Sequence, residues 1–470
     1  MLFSSIHFLF VFLPITMLVY YLVPYKLKNF VMLIASLLFY AWGEPVYVIL
    51  MILSILFNYV MGKDISERQD NLDKKKQSLI FAVVVNLLIL GFFKYYGFLM
   101  DTINAIFPFK ITYRQLPLPV GISFYTFQAL SYVVDVYKGE VKSQKNLLQF
   151  ALYIAMFPQL IAGPIVRYID IEAQLAKRQI HITKIGQGAM YFIRGFAKKI
   201  LIADTLGSVF VEILDMKLGT YSILTAWLGC ISYAFQIYFD FSGYSDMAIG
   251  LGKMFGFEFK QNFHYPYISL SVSEFWRRWH ISLSTWFREY VYIPLGGNRD
   301  GNGKTVRNLL IVWMLTGLWH GAAWNFLIWG FYYGVILVLE KFIWGRAMER
   351  WMPIVRRIYT LAVILFGWVL FFSPSLGYAV RYMGSMLGIG AEGLIDKQTM
   401  FYVTSNWLWY VVAFLGASPI GYTLIKQVQK VPTSRLGRQI LSVGLYMGIF
   451  FIALAFLVTE SFQPFLYFRF

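Results

Sequence analysis

The sequence predicts an all-α polytopic membrane protein, and three observations support this fold class. Apolar residues make up 59% of the 470 residues and charged residues only 14%, whereas charged residues average about 25% in soluble domains. Apolar runs recur along the chain, and several approach the roughly 20 residues that a helix needs to cross a bilayer. No internal repeat or detachable soluble domain is evident, so we expect a single integral membrane domain over residues 1–470.

Ten apolar runs are predicted to form spans. They lie at about 7–24, 29–43, 46–62, 78–99, 120–137, 200–217, 222–250, 358–374, 402–425 and 440–462. The first run lacks the basic flank and small-residue cleavage site of a signal peptide, so we expect it to be retained. With the segments described next, the chain is expected to have about 10–12 transmembrane helices.

Basic loops set the predicted orientation, because Lys and Arg collect on the cytoplasmic side of membrane proteins. We place 63–76, 346–357 and 426–438 in the cytoplasm, and 375–401 and both termini outside. The formal net charge of +17 would suggest nucleic-acid binding in a soluble protein. No basic tail or nucleic-acid motif is present, so we expect membrane lipid and no nucleic acid as a partner.

Three segments do not fit simple spans. Residues 266–307 carry six Lys and Arg side chains, too many for a span, and are predicted to form cytoplasmic and interfacial helices. Residues 308–345 are almost wholly apolar, yet a cytoplasmic loop follows, so they must turn back as a helical hairpin or a re-entrant element. The run 147–166, ending at Gly163 and Pro164, has the same requirement. Broken backbone in a membrane needs surrounding protein or water, so we expect an internal cavity.

His320 is the first candidate for chemistry. It lies in LTGLWHGAAWNF, thirteen residues beyond Arg307, which is roughly 20 Å along a helix into a core about 30 Å thick. An ionisable group at that depth is a functional candidate, although a neutral, hydrogen-bonded core histidine is the alternative. Gly317 would allow another backbone or a ligand to approach closely. The polar-capable neighbours of His320 are Thr316, Trp319 and Asn325.

His280 is the second candidate, in SVSEFWRRWHISLSTWFREYVYIPLGG. A continuous amphipathic helix would place His280 one turn after Trp276, on the same face. The segment is then either an interfacial helix with aromatic anchors or the wall of a cytoplasmic cavity. In the second case, an anionic donor would contact Arg277, Arg278 or Arg288.

Asp240 and Asp246 follow a long apolar run, where carboxylates are costly unless they are paired. We predict that they have structural roles and are paired with arginine side chains or helix ends, with direct catalysis as the alternative. No histidine or carboxylate cluster has the spacing of metal ligands, so we predict no metal site. Cys230 is the only cysteine and is predicted to pack in the interior.

Several of these stretches together resemble the membrane-bound O-acyltransferase (MBOAT) family. The resemblance is strongest to its bacterial branch of alginate O-acetylation proteins, which is related to the teichoic-acid D-alanylation transporter. The matching stretches run in the family's order over about 119–330: PVGISFYTFQALSYVVDVY, FPQLIAGPIVRY, YFDFSGYSDMAIGLG, FWRRWHISLSTW and LWHG. The region after about 345 matches only generally.

The resemblance implies the MBOAT fold, in which transmembrane, re-entrant and interfacial helices surround a cytoplasmic funnel. It implies that His320 matches the central catalytic histidine and His280 a second functional histidine. His320 would act as general base on the accepting hydroxyl. We assign Trp279, Trp319 and Asn325 to the cavity beside the three arginines.

The resemblance also implies the reaction and its setting. In a bacterial inner membrane, the protein would take an acetyl group from a cytoplasmic thioester, acetyl-CoA, with no bound cofactor. An extracytoplasmic esterase-fold partner would then modify an exopolysaccharide of alginate or cellulose type. No predicted outside segment is long enough to bind the polymer itself. The alternatives are D-alanyl transfer to teichoic acid from a carrier protein, and non-enzymatic polysaccharide export.

Overall fold

The computed structural model describes residues 1–161, 163–421, 423, 435–459 and 465–466, and these residues form helices, turns and loops without a β-strand. The predicted all-α class is therefore confirmed for the part of the chain that is described. The contacts group into two compact units. One contains Met1–Phe192 and Met247–Lys260, and the other contains Ile193–Asp246 and Gln261–Phe470.

The first unit contains the amino-terminal helices, and a π-helical turn, Phe8–Phe12, precedes the first of them. Its helices are α1 (Leu13–Leu22), α2 (Lys28–Gly43), α3 (Tyr47–Glu67), α4 (Leu72–Ile106), α5 (Ile122–Lys138), α6 (Leu147–Ala155), α7 (Phe157–Leu160) and α8 (Tyr168–Ala176). Two further helices, α9 (Ile182–Ala197) and α11 (Ile223–Met254), contribute residues to both units.

Side-chain amides join α3 to α4 within the first unit. Asn58 Nδ2 donates to Asn86 Oδ1 at 3.1 Å, and Asn86 Nδ2 donates back to Asn58 Oδ1 at 2.8 Å. Both side chains are buried in otherwise apolar helices, where an unpaired amide would cost several kcal/mol (roughly 2–7). This reciprocal pair therefore fixes the register of the two helices.

The run 147–166 turns back on itself within the first unit. Helix α6 ends at Ala155, the short helix α7 follows, and every residue from 152 to 160 is buried. The Tyr153 hydroxyl donates to the carbonyl oxygen of Val166 at 3.2 Å, and its ring lies 5.2 Å from that of Tyr168. The break predicted for this run is present and is surrounded by protein, while its re-entry into the membrane stays a prediction.

The second unit contains the helices of the carboxy-terminal half and three π-helical segments, Lys198–Asp204, Arg288–Tyr292 and Glu340–Trp344. Its helices are α10 (Thr205–Leu214), α12 (Val272–Arg278), α13 (Ile281–Phe287), α14 (Asn302–His320), α15 (Trp324–Leu339), α16 (Gly345–Met348), α17 (Pro353–Phe372), α18 (Leu376–Met386), α19 (Lys397–Gly416) and α20 (Arg435–Thr459).

Helices α14 and α15 form a tight antiparallel hairpin. A Cβ atom on Gly317 would lie 2.3 Å from the carbonyl oxygen of Phe326, and a Cβ atom on Gly330 would lie 2.3 Å from the carbonyl oxygen of Trp313. Small residues at these two positions let the backbones touch, as at many helix interfaces in membranes. The hairpin alternative predicted for 308–345 is therefore confirmed.

Asp396 ties the start of α19 to the segment before α11. Its carboxylate accepts from the N–H groups of Ser222 and Thr399, both at 2.7 Å, and from the hydroxyls of Thr225 and Thr399, both at 2.8 Å. Burial raises the pKa of Asp396, but these four hydrogen bonds outweigh it and lower the pKa to about 2.

Five described helices are long and apolar enough to cross a membrane. They are Tyr47–Glu67, Leu72–Ile106, Trp324–Met348, Pro353–Phe372 and Gln439–Thr459. Each of the ten predicted runs overlaps a described helix, although the total of about 10–12 transmembrane helices stays a prediction. Most of the basic stretch 426–438 lies outside the described residues.

Candidate active site

His320 is the last residue of α14. The helix ends there because Gly321 adopts an extended conformation, and α15 begins three residues later at Trp324. The imidazole is buried, with 4% of the residue exposed, and its ring centroid lies 5.1 Å from that of Trp329 and 5.3 Å from that of Phe371. His320 therefore lies at the tip of the hairpin, inside an aromatic shell.

His280 lies between α12 and α13 and not within a helix. Its φ of +45° is left-handed, a conformation that is uncommon for residues other than glycine and that marks a locally constrained site. The predicted continuous helix, with Trp276 and His280 one turn apart on one face, is wrong. The helix stops at Arg278, and the nearby aromatic side chains of Phe275, Trp276, Trp279 and Trp286 are all buried.

Asn262 explains why the helix breaks. Its carbonyl oxygen accepts from the Ile281 N–H at 2.9 Å, and its Oδ1 accepts from the N–H and hydroxyl of Ser282 at 3.1 and 2.9 Å. These bonds replace the ones that a continuous helix would make. Sequence reasoning missed Asn262, because no local pattern connects it with residues about twenty positions later.

The same amide orients the His280 ring. His280 Nδ1 lies 3.3 Å from Asn262 Oδ1. Because this oxygen is an acceptor, Nδ1 carries the proton, and Nε2 carries the lone pair. Burial also lowers the pKa of His280 to about 3. The ring is therefore neutral at pH 7, and its Nε2 can accept a hydrogen bond.

The indole of Trp319 connects the two histidines. Its ring centroid lies 5.9 Å from that of His280 and 5.0 Å from that of His320. The ring of Phe241 also packs against His280, perpendicular to the imidazole and at a centroid distance of 4.6 Å. Two histidines that are forty positions apart in the sequence thus both pack against one buried aromatic ring.

The remaining predicted cavity residues, Trp279 and Asn325, are both buried. Trp279 is 2% exposed and packs against Trp368 at 5.0 Å between ring centroids. Asn325 is also buried, and its Nδ2 donates to the carbonyl oxygen of Ser373 at 3.1 Å. Asn325 therefore joins the start of α15 to the end of α17.

The three predicted donor-binding arginines differ in their contacts. Arg278 forms an ion pair with Glu274 at 2.7 Å, and Arg288 forms one with Glu289 at 2.7 Å. Arg277 is exposed, and it donates to the Ser273 carbonyl oxygen at 3.3 Å. Within the described residues no carboxylate neutralises Arg277, so it is the arginine of the three best able to attract an anion.

Asp240 and Asp246 are paired, as predicted, but with lysines and not with arginines. Asp240 is 2.8 Å from Lys199 Nζ, and Asp246 is 2.7 Å from Lys198 Nζ. Lys198 and Lys199 begin a π-helical segment at the end of α9, where the apolar run FAKKILIAD already marks two cations that need partners. Asp240 also accepts from the Leu466 N–H at 2.8 Å.

Comparisons with known proteins agree with this arrangement. The chain matches the profile of the membrane-bound O-acyltransferase family, MBOAT, over residues 140–385, which include both histidines. It is 39% identical to the probable alginate O-acetylase AlgI of Pseudomonas putida, over 100% of both chains. It is 35% identical to the peptidoglycan O-acetyltransferase of Helicobacter pylori, over 89% of this chain and 86% of the relative.

A more distant similarity points to the same family. The chain is 29% identical to the teichoic acid D-alanyltransferase of Bacillus subtilis, over 54% of this chain and 68% of the relative. The family profile covers more than half of the chain, and the first relative matches it from end to end. The chain therefore belongs to the membrane-bound O-acyltransferase family and is an O-acyltransferase.

Proposed function

We propose that this enzyme takes an acetyl group from a cytoplasmic thioester, acetyl-CoA, and passes it across the membrane for O-acetylation of an extracytoplasmic polysaccharide. The observation that carries the proposal is the meeting of His280 and His320 at Trp319 inside a buried aromatic shell. Relatives named as O-acetylases that match along most of the chain support acetyl as the group and a polysaccharide as the final acceptor.

The chemistry is transfer of an acyl group from sulfur to oxygen. His320 removes the proton from the accepting hydroxyl as its oxygen attacks the thioester carbonyl. A C–O bond forms, the C–S bond breaks, and the proton moves from the imidazolium to the leaving thiolate. A positioned base of this kind typically contributes about 10²–10⁴-fold to the rate.

His280 has a different role. Its Nδ1 is engaged by Asn262 Oδ1, so a substrate would have to contact the other ring nitrogen, Nε2. We propose that neutral His280 accepts a hydrogen bond from the attacking hydroxyl and orients it towards the carbonyl. Replacing His280 with Ala should therefore impair transfer less than replacing His320.

Donor binding is assigned to the cationic stretch 266–307. Arg277 lacks a carboxylate partner among the described residues, whereas Arg278 and Arg288 each have one. We propose that Arg277 contacts a phosphate of acetyl-CoA through a charge-assisted hydrogen bond. Arg277→Ala should raise KM for acetyl-CoA, and Arg288→Ala should change it less.

The rest of the reaction takes place outside the membrane. We propose that the enzyme is embedded in the bacterial inner membrane with both termini outside, and that it delivers acetyl to an extracytoplasmic esterase-fold partner. The longest predicted outside stretches, 101–118 and 375–401, are both shorter than the roughly 40 residues below which domains rarely fold alone. Recognition of the polymer is therefore left to the partner.

Reconstitution in vesicles tests the proposal. Acetyl-CoA is supplied on the cytoplasmic face and polymer on the other, with and without the partner. We expect acetylated polymer only when the partner is present, and none with a His320→Ala variant that is inserted and folded. Wild-type turnover by His320→Ala would end the general-base assignment. Efficient acetylation without the partner would refute delivery of acetyl through a partner. Activity only with a D-alanyl carrier protein would show that this carrier, and not acetyl-CoA, is the donor.

A further inference from the structure

Glu340 is a buried carboxylate that the proposed chemistry does not use. It begins the π-helical segment that continues α15, and 6% of the residue is exposed. The sixteen residues of α15 before it are apolar or uncharged. A carboxylate in such surroundings is strongly unfavourable unless hydrogen bonds compensate for its lost hydration. The partners of Glu340 must therefore be strong and fixed.

Those partners are the first residues of α12. Glu340 Oε1 accepts from the Val272 N–H at 2.7 Å, and Oε2 accepts from the N–H and hydroxyl of Ser273 at 2.9 and 2.7 Å. The hydroxyl of Ser271 accepts from the Glu274 N–H at 3.0 Å. The N–H groups of the first three residues of α12 are thus satisfied, two of them by the Glu340 side chain.

The placement also suits the charge of Glu340. Among the described residues, no cation forms an ion pair with it, although Tyr359 shares a hydrogen bond with its carboxylate. The N-terminus of a helix carries a partial positive charge that stabilises an anion. Glu340 is therefore held mainly by the end of α12, and α12 is in turn held by Glu340.

An aromatic contact fixes α12 at a second point. The ring of Trp276 packs against Trp313 of α14 and Tyr333 of α15, both at 4.8 Å between centroids. With the Glu340 cap, these contacts attach α12 to the α14–α15 hairpin, which has His320 at its tip. Helix α12 has seven residues, about 10 Å in length, and His280 follows two residues after it. A shift at its start would therefore reach His280.

We propose that Glu340 is a positioning residue, which caps α12 from α15 and so holds His280 in its place relative to His320 across Trp319. The rate measurement that tests this role rests on the proposed function, but the measurement of how well His280 is protected from modification does not. Nothing else that is described joins the backbone at the start of α12 to the hairpin by hydrogen bonds.

The first test compares rates. Glu340→Ala leaves one buried and one partly buried N–H group of α12 without an acceptor, and a misplacement of about 1 Å can cost on the order of 100-fold in rate. We expect kcat to fall by about 10–100-fold with KM for acetyl-CoA unchanged. Glu340→Gln keeps one acceptor oxygen but turns its amide donor towards the other N–H, so an intermediate loss is expected.

Asp396→Ala is the matched control, because Asp396 also caps a helix and binds a backbone N–H from another segment. We expect it to lower the unfolding temperature but to leave kcat of the folded enzyme unchanged well below that temperature. An equal loss of kcat in Asp396→Ala and Glu340→Ala would show a general effect on folding and would overturn the proposal.

The second test does not depend on activity. Diethyl pyrocarbonate modifies accessible imidazoles, and mass spectrometry reports each site. His280 is 2% exposed and should react slowly, while exposed His264 serves as the internal reference. In Glu340→Ala, we expect faster modification of His280 relative to His264. Unchanged protection of His280 would overturn the positioning role. If Glu340→Ala speeds modification of His280 but the wild-type protein shows no acetyl transfer, the positioning role stands and only the proposed function is refuted.

Discussion

Replacing Gly317 with Ala should damage the site through the hairpin and not through the histidine itself. Gly317 lies three residues before His320 on α14. A Cβ atom there would lie 2.3 Å from the Phe326 carbonyl oxygen, about 1 Å short of ordinary van der Waals contact. The obstructing atom belongs to the backbone of α15, so no side-chain rotation can relieve the overlap.

The size of the effect follows from this overlap. Moving two packed helices apart by about 0.5–1 Å forfeits a quarter to a half of each contact between them, and overpacking typically costs about 1–3 kcal/mol. Alanine recovers up to about 1 kcal/mol through its higher helix propensity. The net loss of stability should therefore be small, about 0–2 kcal/mol. The displacement of His320 by about 1 Å should be more damaging, costing on the order of 100-fold in rate.

Gly303→Ala on the same helix is the matched control, because a Cβ atom at Gly303 would meet nothing within 4 Å. Unfolding temperature and acetyl-transfer rate are measured for both variants and for Gly330→Ala. We expect Gly303→Ala to be as active as wild type. We also expect the double variant Gly317→Ala/Gly330→Ala to lose less stability than the sum of the losses in the two single variants. One displacement of the helices relieves both overlaps. Wild-type kcat in Gly317→Ala, or strict additivity with Gly330→Ala, would refute the reasoning.

Two further predictions concern the part of the chain that is predicted to lie outside. Asp396→Asn should destabilise the protein by about 1–2 kcal/mol at pH 7, after allowance for solvent screening. Because the folded pKa of about 2 lies below the unfolded value of about 3.9, this contribution is complete above about pH 5 and is lost as the pH falls through 2. The unfolding temperatures of variant and wild type should therefore converge in acid, and a gap that persists at the lowest pH would contradict this origin. A membrane-impermeant maleimide added outside should label Glu392→Cys but not Lys74→Cys, with buried Cys230 giving no background. The reverse pattern would overturn the topology.

Local patterns were sufficient for much of the fold. Each of the ten predicted apolar runs overlaps a described helix. A helix that is buried in lipid or in protein is apolar along most of its length, so composition alone can locate it. The turn within 308–345 followed from the charges around it. Basic stretches precede and follow this apolar segment, so both of its ends were placed on the cytoplasmic side and the chain had to turn back between them. His320 could be singled out because an ionisable side chain among apolar neighbours is rare, both in the lipid-facing and in the protein-buried parts of a membrane protein.

Long-range hydrogen bonds explain what local patterns missed. Periodicity continues through Trp276 and His280 as if one helix ran there, and only contacts from Asn262 break it. The lysine partners of Asp240 and Asp246 lie about forty to fifty residues away, so their identity depends on how helices pack. Glu340 did leave a signal, as the one carboxylate in the apolar stretch 308–345, but its partner at the start of α12 could not be read from sequence.

The division of the chain into two units has a consequence for biosynthesis. Residues 247–260 belong to the first unit, although residues 193–246, which precede them, belong to the second. At the ribosomal rate of about 5–20 residues per second, the first unit waits several seconds for its last segment while the intervening chain is inserted. Cutting the gene between residues 192 and 193 would therefore yield two incomplete pieces and not two folding domains.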